Sequence, residues 1–188
     1  IDAEAGPHHY TAEQWPLVRR MIHANADFEF NGLTAFHPDA MTAGFQAVLK
    51  GNTPIVADVE MICVGLSKPR LAHFGLSTHH YISDEDVIAQ AKLENSTRAV
   101  QAMRKAHKLG KLYGAIVGIG NAPTALIELV RLIREEGVRP ALVVAMPVGF
   151  VSAAESKDLM MTINDVPWVA SKGRTGGWTL VVGAIHAL

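Results

Sequence analysis

The chain has 188 residues, of which 49% are hydrophobic and 19% charged, and its formal net charge is −1. This composition fits one domain and excludes an intrinsically disordered chain, which would be richer in charge and poorer in apolar residues. It also argues against nucleic-acid binding, because a duplex-binding protein usually carries a basic surplus. The longest apolar stretch, 141–151, is interrupted by Pro147 and Gly149. It is too short for a transmembrane helix, which needs about 20 residues.

The first residues show no basic segment followed by an apolar one, so we expect no secretory signal. Cys63 is the only cysteine, which excludes an internal disulfide and indicates a reducing compartment. Both observations favour a cytoplasmic location.

The first half of the sequence contains helix-like and strand-like segments. Thr11 and Gln14 have capping-box spacing ahead of an apolar stripe, which predicts a first helix over residues 11–24. Gly51 ends a second helical pattern. The remaining predictions are, in chain order, a helix over 39–50, a strand over 54–57, a short helix over 58–66, a strand over 70–74 and a long helix over 84–108.

The second half gives the clearer pattern. The apolar run 114–118 predicts a strand, and the helix predicted over 122–136 has Pro123 in its first turn and Gly137 after its end. The predictions that follow are a strand over 141–145, a helix over 152–161, a strand over 168–171 and a helix over 177–187. Strands alternating with helices predict a single-domain α/β fold, with a mainly parallel sheet covered by helices on both faces. In such a fold, ligands bind beyond the carboxyl ends of the strands.

The first strand-to-helix turn of interest covers residues 118–124 and contains Asn121 and Thr124. A dinucleotide fingerprint would need another glycine near Pro123 and an acidic residue about 20 positions later, and neither is present. A nucleotide cofactor is therefore not expected. Two interpretations stay open: a tight turn with Asn121 as the helix cap, or a set of exposed N–H groups that face an anion.

The second turn leads into the helix predicted from Ser152. Ser152 and Glu155 have capping-box spacing, so both could serve the helix itself. Lys157 is unusual in a first helical turn, where the helix dipole disfavours a cation. A bound anion nearby would offset that cost.

The third turn covers residues 171–178 and combines two cations with three glycines before a helix. Lys172, Gly173, Arg174 and Gly176 predict an anion cradle in preference to a solvated run of charge. The turn lacks the Gly-Lys-Ser/Thr order of the phosphate loop, so we expect no use of ATP.

Two polar residues interrupt the apolar face of the long predicted helix. In helical projection Asn95 falls in the middle of this face and Arg98 at its edge. Buried polar groups need partners, so an internal cap or a salt bridge would explain them. The alternative is that this face borders a polar ligand pocket or a subunit interface, with Arg98 binding a carboxylate.

Of the nine histidines, His23 is the one whose position suggests chemistry. It lies away from the apolar stripe of the first helix, close to Arg19 and Arg20 in projection. It falls in the last turn, where the helix dipole favours a protonated imidazole. A proton donor and an exposed C-terminal cap are both compatible with this position. The pair His79-His80 has no partner at a recognised metal spacing, so no metal site is expected.

Several runs along the chain occur in a characteristic order. They are 18–24 (Val-Arg-Arg-Met-Ile-His-Ala), 26–30 (Ala-Asp-Phe-Glu-Phe), 54–61 (Pro-Ile-Val-Ala-Asp-Val-Glu-Met), Thr97-Arg98, 117–126 (containing Gly-Asn-Ala-Pro-Thr), 147–157 (beginning Pro-Val-Gly-Phe-Val) and 173–177 (Gly-Arg-Thr-Gly-Gly). Together they resemble the precorrin-8X methylmutase family, also called precorrin isomerase, over nearly the whole chain, 1–188.

The resemblance implies an isomerase of cobalamin biosynthesis with a homodimeric working unit. It would move a methyl group from C11 to C12 of precorrin-8 or its cobalt form, giving hydrogenobyrinate or cobyrinate. His23 matches the family's catalytic histidine, which would protonate or hydrogen-bond a ring nitrogen during a 1,5-sigmatropic shift. No cofactor is implied, and any cobalt belongs to the substrate.

The tetrapyrrole substrate is a broad apolar ring fringed by carboxylates, which suits an apolar cleft edged by cations and glycine-rich turns. A non-catalytic tetrapyrrole-binding or carrier protein on the same fold is the alternative hypothesis. The residues expected to contact the substrate are Arg98, Asn121, Thr124, Ser152, Glu155, Lys157, Lys172, Gly173, Arg174 and Gly176.

Overall fold

Short apolar runs form the strands of a central sheet in the computed structural model, which describes residues 1–188. The strands are β1 (Thr34–Phe36), β2 (Pro54–Ala57), β3 (Ser77–His79), β4 (Ile116–Ile119), β5 (Leu142–Ala145) and β6 (Trp168–Ser171). Their order across the sheet is β1-β6-β5-β4-β2-β3. All neighbours are parallel except β1 and β6, which run antiparallel. The predicted mainly parallel sheet is confirmed.

Ten helices connect and flank these strands. They are α1 (Trp15–Asn25), α2 (Phe30–Leu33), α3 (Ala40–Lys50), α4 (Glu60–Gly65), α5 (Lys68–Phe74), α6 (Glu85–Leu93), α7 (Arg98–Lys108), α8 (Pro123–Glu136), α9 (Ala153–Met161) and α10 (Trp178–Ile185). None of them is both long enough and apolar enough to cross a membrane.

Successive residues of a central strand point to opposite faces of the sheet, and both faces are buried. Leu142 and Val144 of β5 belong to a core shared with α1, α3, α4 and α10. Val143 and Ala145 belong to a second core, shared with α7, α8 and α9. None of these four side chains is exposed. The two cores account for the high apolar fraction and confirm helices on both faces.

Local signals mark several helix ends. The backbone N–H groups of Thr11 and Gln14 each donate to the other residue's side chain, at 3.1 and 3.2 Å, as the capping-box spacing predicted. The helix predicted over residues 11–24 nevertheless begins at Trp15 and ends at Asn25. Pro123 lies in the first turn of α8, and Gly137 ends that helix with φ 67°. A positive φ is accessible to glycine at little cost, which explains the stop.

The single long helix predicted over 84–108 is wrong. The chain breaks between α6 and α7, where Asn95 takes a left-handed conformation with φ 49°. Thr97 then caps α7, since its side chain accepts the N–H of Val100 at 3.2 Å. Asn95 is therefore exposed in a connection, not placed within an apolar helix face, and Arg98 is the exposed first residue of α7.

The strand predicted over 70–74 is also wrong, because these residues belong to α5. Pro69 lies in the first turn of this helix, and Gly75 ends it with φ 64°. The strand of this region is β3, which begins three residues after the last residue of α5. It pairs with β2 at the edge of the sheet. No strand was predicted at β1, which pairs antiparallel with β6 and forms the other edge of the sheet.

Candidate active site

Three turns, each following the carboxyl end of a parallel strand, lie at the same end of the sheet. We name them the β4 turn (120–124), the β5 turn (146–152) and the β6 turn (172–177). The N–H of Gly177, just after Gly176, donates to Met146 O at 2.9 Å, and the N–H of Gly149 donates to Arg174 O at 3.2 Å. A Cβ at Gly176 would collide with the carbonyl groups of Met146 and Pro147. Gly176 is therefore required for the close packing of the β5 and β6 turns.

The N–H groups of the β4 turn are occupied from within the chain. The Asp58 carboxylate accepts the backbone N–H of Gly120 at 3.0 Å, of Asn121 at 2.8 Å and of Ala122 at 2.7 Å. Burial raises the pKa of Asp58, and these three hydrogen bonds oppose the rise. The interpretation that these N–H groups face a bound anion is wrong, because an internal carboxylate fills the position. Asn121 is also not the side-chain cap of α8.

Other contacts bring α7 to the same turn. The hydroxyl groups of Thr97 and Thr124 are hydrogen-bonded at 3.0 Å. Thr97 is the residue before α7, so this contact places the exposed Arg98 beside the β4 turn. The exposed Asn121 lies in the same turn. The structure thus brings Arg98, Asn121 and Thr124 together, which their separation in the sequence did not reveal.

Lys157 is directed into the fold. Its side chain has no exposed surface, and its Nζ donates to Thr175 O at 2.8 Å and to Ser171 Oγ at 3.4 Å. Burial lowers the pKa of Lys157 to about 8. The ammonium group binds the β6 turn from the protein interior. Its two hydrogen bonds, to Thr175 O and Ser171 Oγ, explain why a lysine occurs early in α9.

The β5 turn is exposed and apolar at its tip. Phe150 and Val151 are 85% and 82% exposed. Ser152 follows in a left-handed conformation with φ 61° and makes no capping hydrogen bond to α9. The interpretation of Ser152 and Glu155 as a capping box is therefore wrong, and Glu155 is exposed.

The β6 turn places cations next to this tip. The Arg174 guanidinium lies 5.9 Å from the centre of the Phe150 ring, a cation–π contact. Lys172, Gly173 and Arg174 are all exposed, and Gly173 has φ 70°. The predicted cations of this turn, Lys172 and Arg174, are thus exposed and make no ion pair with a carboxylate of the chain.

His23 lies in a different cleft, beside the last turn of α1. It is exposed and lines an open cleft of about 580 Å³. Arg19 and Arg20 come from the same helix, Arg70 from α5, and His186 from the end of α10. The sequence predicted Arg19 and Arg20 beside His23 but did not predict Arg70, which was expected in a strand, or His186.

One contact connects this cleft to the three turns. Thr179, in the first turn of α10, donates its hydroxyl hydrogen to Asn25 Oδ1 at 2.9 Å. Asn25 is two residues after His23, and α10 begins directly after the β6 turn. His23 and the β6 turn are therefore connected through the helix pair α1 and α10.

Comparisons with known proteins agree with this architecture. Residues 1–188 match the family model for precorrin-8X methylmutase. The chain is 50% identical over 193 residues to a cobalt-precorrin-8 methylmutase of Leptospira interrogans, covering the whole chain and 87% of that relative. It is also 50% identical over 188 residues to a cobalt-precorrin-8 methylmutase of Priestia megaterium, covering the whole chain and 82% of that relative.

A solved structure shows the same fold. The chain superposes on the crystal structure of a precorrin-8x methyl mutase from Thermus thermophilus with a TM-score of 0.91 and 48% sequence identity, covering 100% of this chain and 90% of that one. Sequence and fold therefore agree over the whole chain. The chain belongs to the precorrin-8X methylmutase family and is an isomerase of cobalamin biosynthesis.

Proposed function

We propose that the chain moves a methyl group from C11 to C12 of precorrin-8, or of its cobalt form, and yields hydrogenobyrinate or cobyrinate. The observation that carries this proposal is the exposed His23 in an open cleft of about 580 Å³ lined by three arginines. The arginines suit a substrate fringed by carboxylates. The relatives that are cobalt-precorrin-8 methylmutases support the same substrate class.

In the proposed mechanism, His23 protonates or hydrogen-bonds a ring nitrogen of the bound tetrapyrrole. This withdraws electron density from the ring and eases a 1,5-sigmatropic shift, in which the C11–methyl bond breaks as the C12–methyl bond forms. Such a rearrangement asks mainly for positioning and one proton donor. It uses no nucleophile, nucleotide or protein-bound metal, and cobalt would enter only as part of the substrate.

Residues in and beside the three turns are proposed to hold the rim of the macrocycle. Arg98, Lys172 and Arg174 have no carboxylate partner within the chain and are free to meet the substrate's acidic side chains. Asn121, Thr124, Ser152 and Glu155 would supply neutral or accepting groups beside them. Lys157 acts in this proposal through the Thr175 carbonyl, by fixing the shape of the β6 turn.

The test compares His23→Asn with His107→Asn, a histidine of α7 on the other face of the sheet. We expect His23→Asn to lower kcat on the order of 10²- to 10⁴-fold, the usual contribution of a general acid. Affinity for hydrogenobyrinate, followed by absorbance titration, should change little. Turnover that survives in His23→Asn would refute the catalytic role. Tight binding without turnover in the unsubstituted chain would instead favour the carrier hypothesis.

We also propose that the chain acts as a homodimer in the cytoplasm. The single free Cys63 suits a reducing compartment. The exposed Phe150 and Val151 at the tip of the β5 turn form an apolar surface that a second copy would cover. Sedimentation velocity should show a dimer, and Phe150→Glu should weaken it on the order of 10-fold, the effect of a charge in an apolar contact. A monomer at all concentrations would refute the dimer.

A further inference from the structure

The cleft beside His23 contains arginines that no carboxylate of the chain satisfies. Arg19 is paired with Asp2 at 2.9 Å. Arg20 and Arg70, by contrast, have no acidic side chain within salt-bridge distance, although both line the same cleft. In a chain with net charge −1, this cleft therefore carries a local surplus of positive charge. Uncompensated cations in a concave site raise the local concentration of anions.

One carboxylate already shows the chemistry of this cleft. Asp2 accepts the indole N–H of Trp15 at 2.9 Å and an N–H of Arg19 at 2.9 Å. These hydrogen bonds hold the pKa of Asp2 below its ordinary value. A carboxylate that lines the cleft is therefore bound by a neutral ring N–H together with a guanidinium.

His186 and Arg70, which line the same cleft, offer a matching pair of donors. The backbone N–H of Ser67 donates to His186 Nε2 at 3.0 Å. A backbone N–H can only donate, so this nitrogen is unprotonated and the neutral ring carries its hydrogen on Nδ1. Nδ1 has no hydrogen-bond partner in the chain and is not buried. Burial and the nearby Arg70 and Arg20 lower the pKa of His186, which agrees with a neutral ring.

Arg70 is held next to this ring. One of its guanidinium N–H groups donates to His186 O at 3.1 Å, which links α5 to the end of α10. The other N–H groups of Arg70 make no bond within the chain. A guanidinium anchored at one corner loses less freedom when it binds a ligand than an unrestrained one would.

We propose that Arg70 and the Nδ1–H of His186 form a clamp for one acidic side chain of the substrate, in the cleft that His23 also lines. Arg20 adds positive charge to the clamp. This inference rests on the proposed function, and it identifies two substrate-binding residues that the sequence motifs did not include. The clamp repeats the arrangement around Asp2: one neutral ring N–H and one guanidinium meet the two oxygens of a carboxylate. Its role is to position the ring so that a nitrogen faces His23.

Two substitutions separate ligand binding from structure at His186. In His186→Gln the amide oxygen reaches the Nε2 position and can accept the Ser67 N–H, but the donor at Nδ1 is lost. In His186→Asn the shorter amide offers a donor near the Nδ1 position and leaves the Ser67 N–H without its acceptor. A clamp predicts that Gln raises the Kd for hydrogenobyrinate on the order of 10-fold and that Asn raises it less. A purely structural role predicts weaker folding in Asn and unchanged binding in Gln, which would overturn the proposal.

Arg70→Gln tests the charged half of the clamp, with Arg134→Gln as the control for loss of one positive charge. Arg134 is in α8 and bonds Thr162, remote from the cleft. We expect Arg70→Gln to raise the Kd and KM on the order of 10- to 100-fold, as for loss of a charge-assisted hydrogen bond. The kcat at saturation should fall much less. An unchanged Kd in both Arg70→Gln and His186→Gln would overturn the clamp.

A second ligand, citrate, distinguishes a failure of the clamp proposal from a failure of the proposed function. Citrate, a small polycarboxylate, is titrated against the same variants by calorimetry. If Arg70→Gln and His186→Gln leave hydrogenobyrinate binding unchanged while His23→Asn loses turnover, the clamp is wrong and the proposed function stands. If the unsubstituted chain binds citrate in an Arg70-dependent way but neither binds nor forms hydrogenobyrinate, the anion clamp stands and the proposed function is wrong.

Discussion

Lys157 allows a stability prediction whose sign and size follow from its surroundings. Its side chain is fully buried, and the groups that it contacts, Thr175 O and Ser171 Oγ, are neutral. Burial disfavours the charged ammonium and lowers its pKa from 10.5 to about 8 in the folded protein. In the unfolded chain the same group keeps the ordinary pKa of about 10.4.

The direction of the pH effect follows from proton binding. Between pH 8 and pH 10.5 the unfolded chain holds a proton on Lys157 that the folded chain has released. The free energy of unfolding therefore rises with pH in this window, by at most about 1.4 kcal/mol per pH unit. From pH 7.5 to pH 9.5 the contribution of this one group amounts to about 2 kcal/mol.

Urea unfolding of Lys157→Met at pH 7.5, 8.5 and 9.5 isolates this contribution, since Met is of similar length and does not titrate. The stability of the unsubstituted chain relative to Lys157→Met should improve by about 2 kcal/mol over this range. Lys50→Met, at an exposed position at the end of α3, controls for removal of a lysine charge and should show no such trend. A constant difference between the unsubstituted chain and Lys157→Met would refute the buried-charge argument.

Three further substitutions are tested by urea unfolding: two affect the β4 turn, and one affects the ion pairs of Glu128. Asp58→Asn replaces one accepting oxygen by a donor that faces an N–H of the β4 turn, so we expect a loss of about 2–3 kcal/mol and faster amide exchange in that turn. A methyl group at Gly120 would lie 2.7 Å from the backbone of α10, so Gly120→Ala should cost about 1–3 kcal/mol. Burial tends to raise the pKa of Glu128, but hydrogen bonds from Arg131 and Arg104 bring it below its usual value. Glu128→Gln should therefore destabilise at pH 7, and its deficit should shrink as pH falls through the acidic range; a deficit independent of pH would contradict this.

The parts of the fold that the sequence predicted are those fixed by local signals. β4 and β5 are short apolar runs next to glycine or proline, and α8 begins with Pro123 and ends before Gly137. β1 escaped prediction because three residues give no periodicity, and its pairing with β6 is a tertiary contact. The break at Asn95 was missed because its left-handed conformation does not interrupt the apolar pattern on either side.

The candidate site was predicted less completely, for a different physical reason. The sequence identifies a turn with free N–H groups, but it does not show which group reaches them. Asp58 is more than sixty residues before the β4 turn, and the parallel pairing of β2 with β4 brings it there. Ser152 and Glu155 have the spacing of a capping box, but Ser152 takes a left-handed backbone conformation and its side chain makes no capping hydrogen bond.

The ion pairs of the arginines explain why the net charge of the chain did not predict an anion-binding site. Arg104 of α7 and Arg131 of α8 share the buried Glu128 of α8, so their charges are neutralised within the chain, and the Arg104–Glu128 pair joins α7 to α8. Arg20 and Arg70 have no such partner and face one cleft. All four count equally toward a net charge of −1, but only the second pair generates an attractive field for a carboxylate. An anion-binding protein therefore needs no basic surplus, provided that its acidic residues neutralise the arginines outside the site and leave those inside it free.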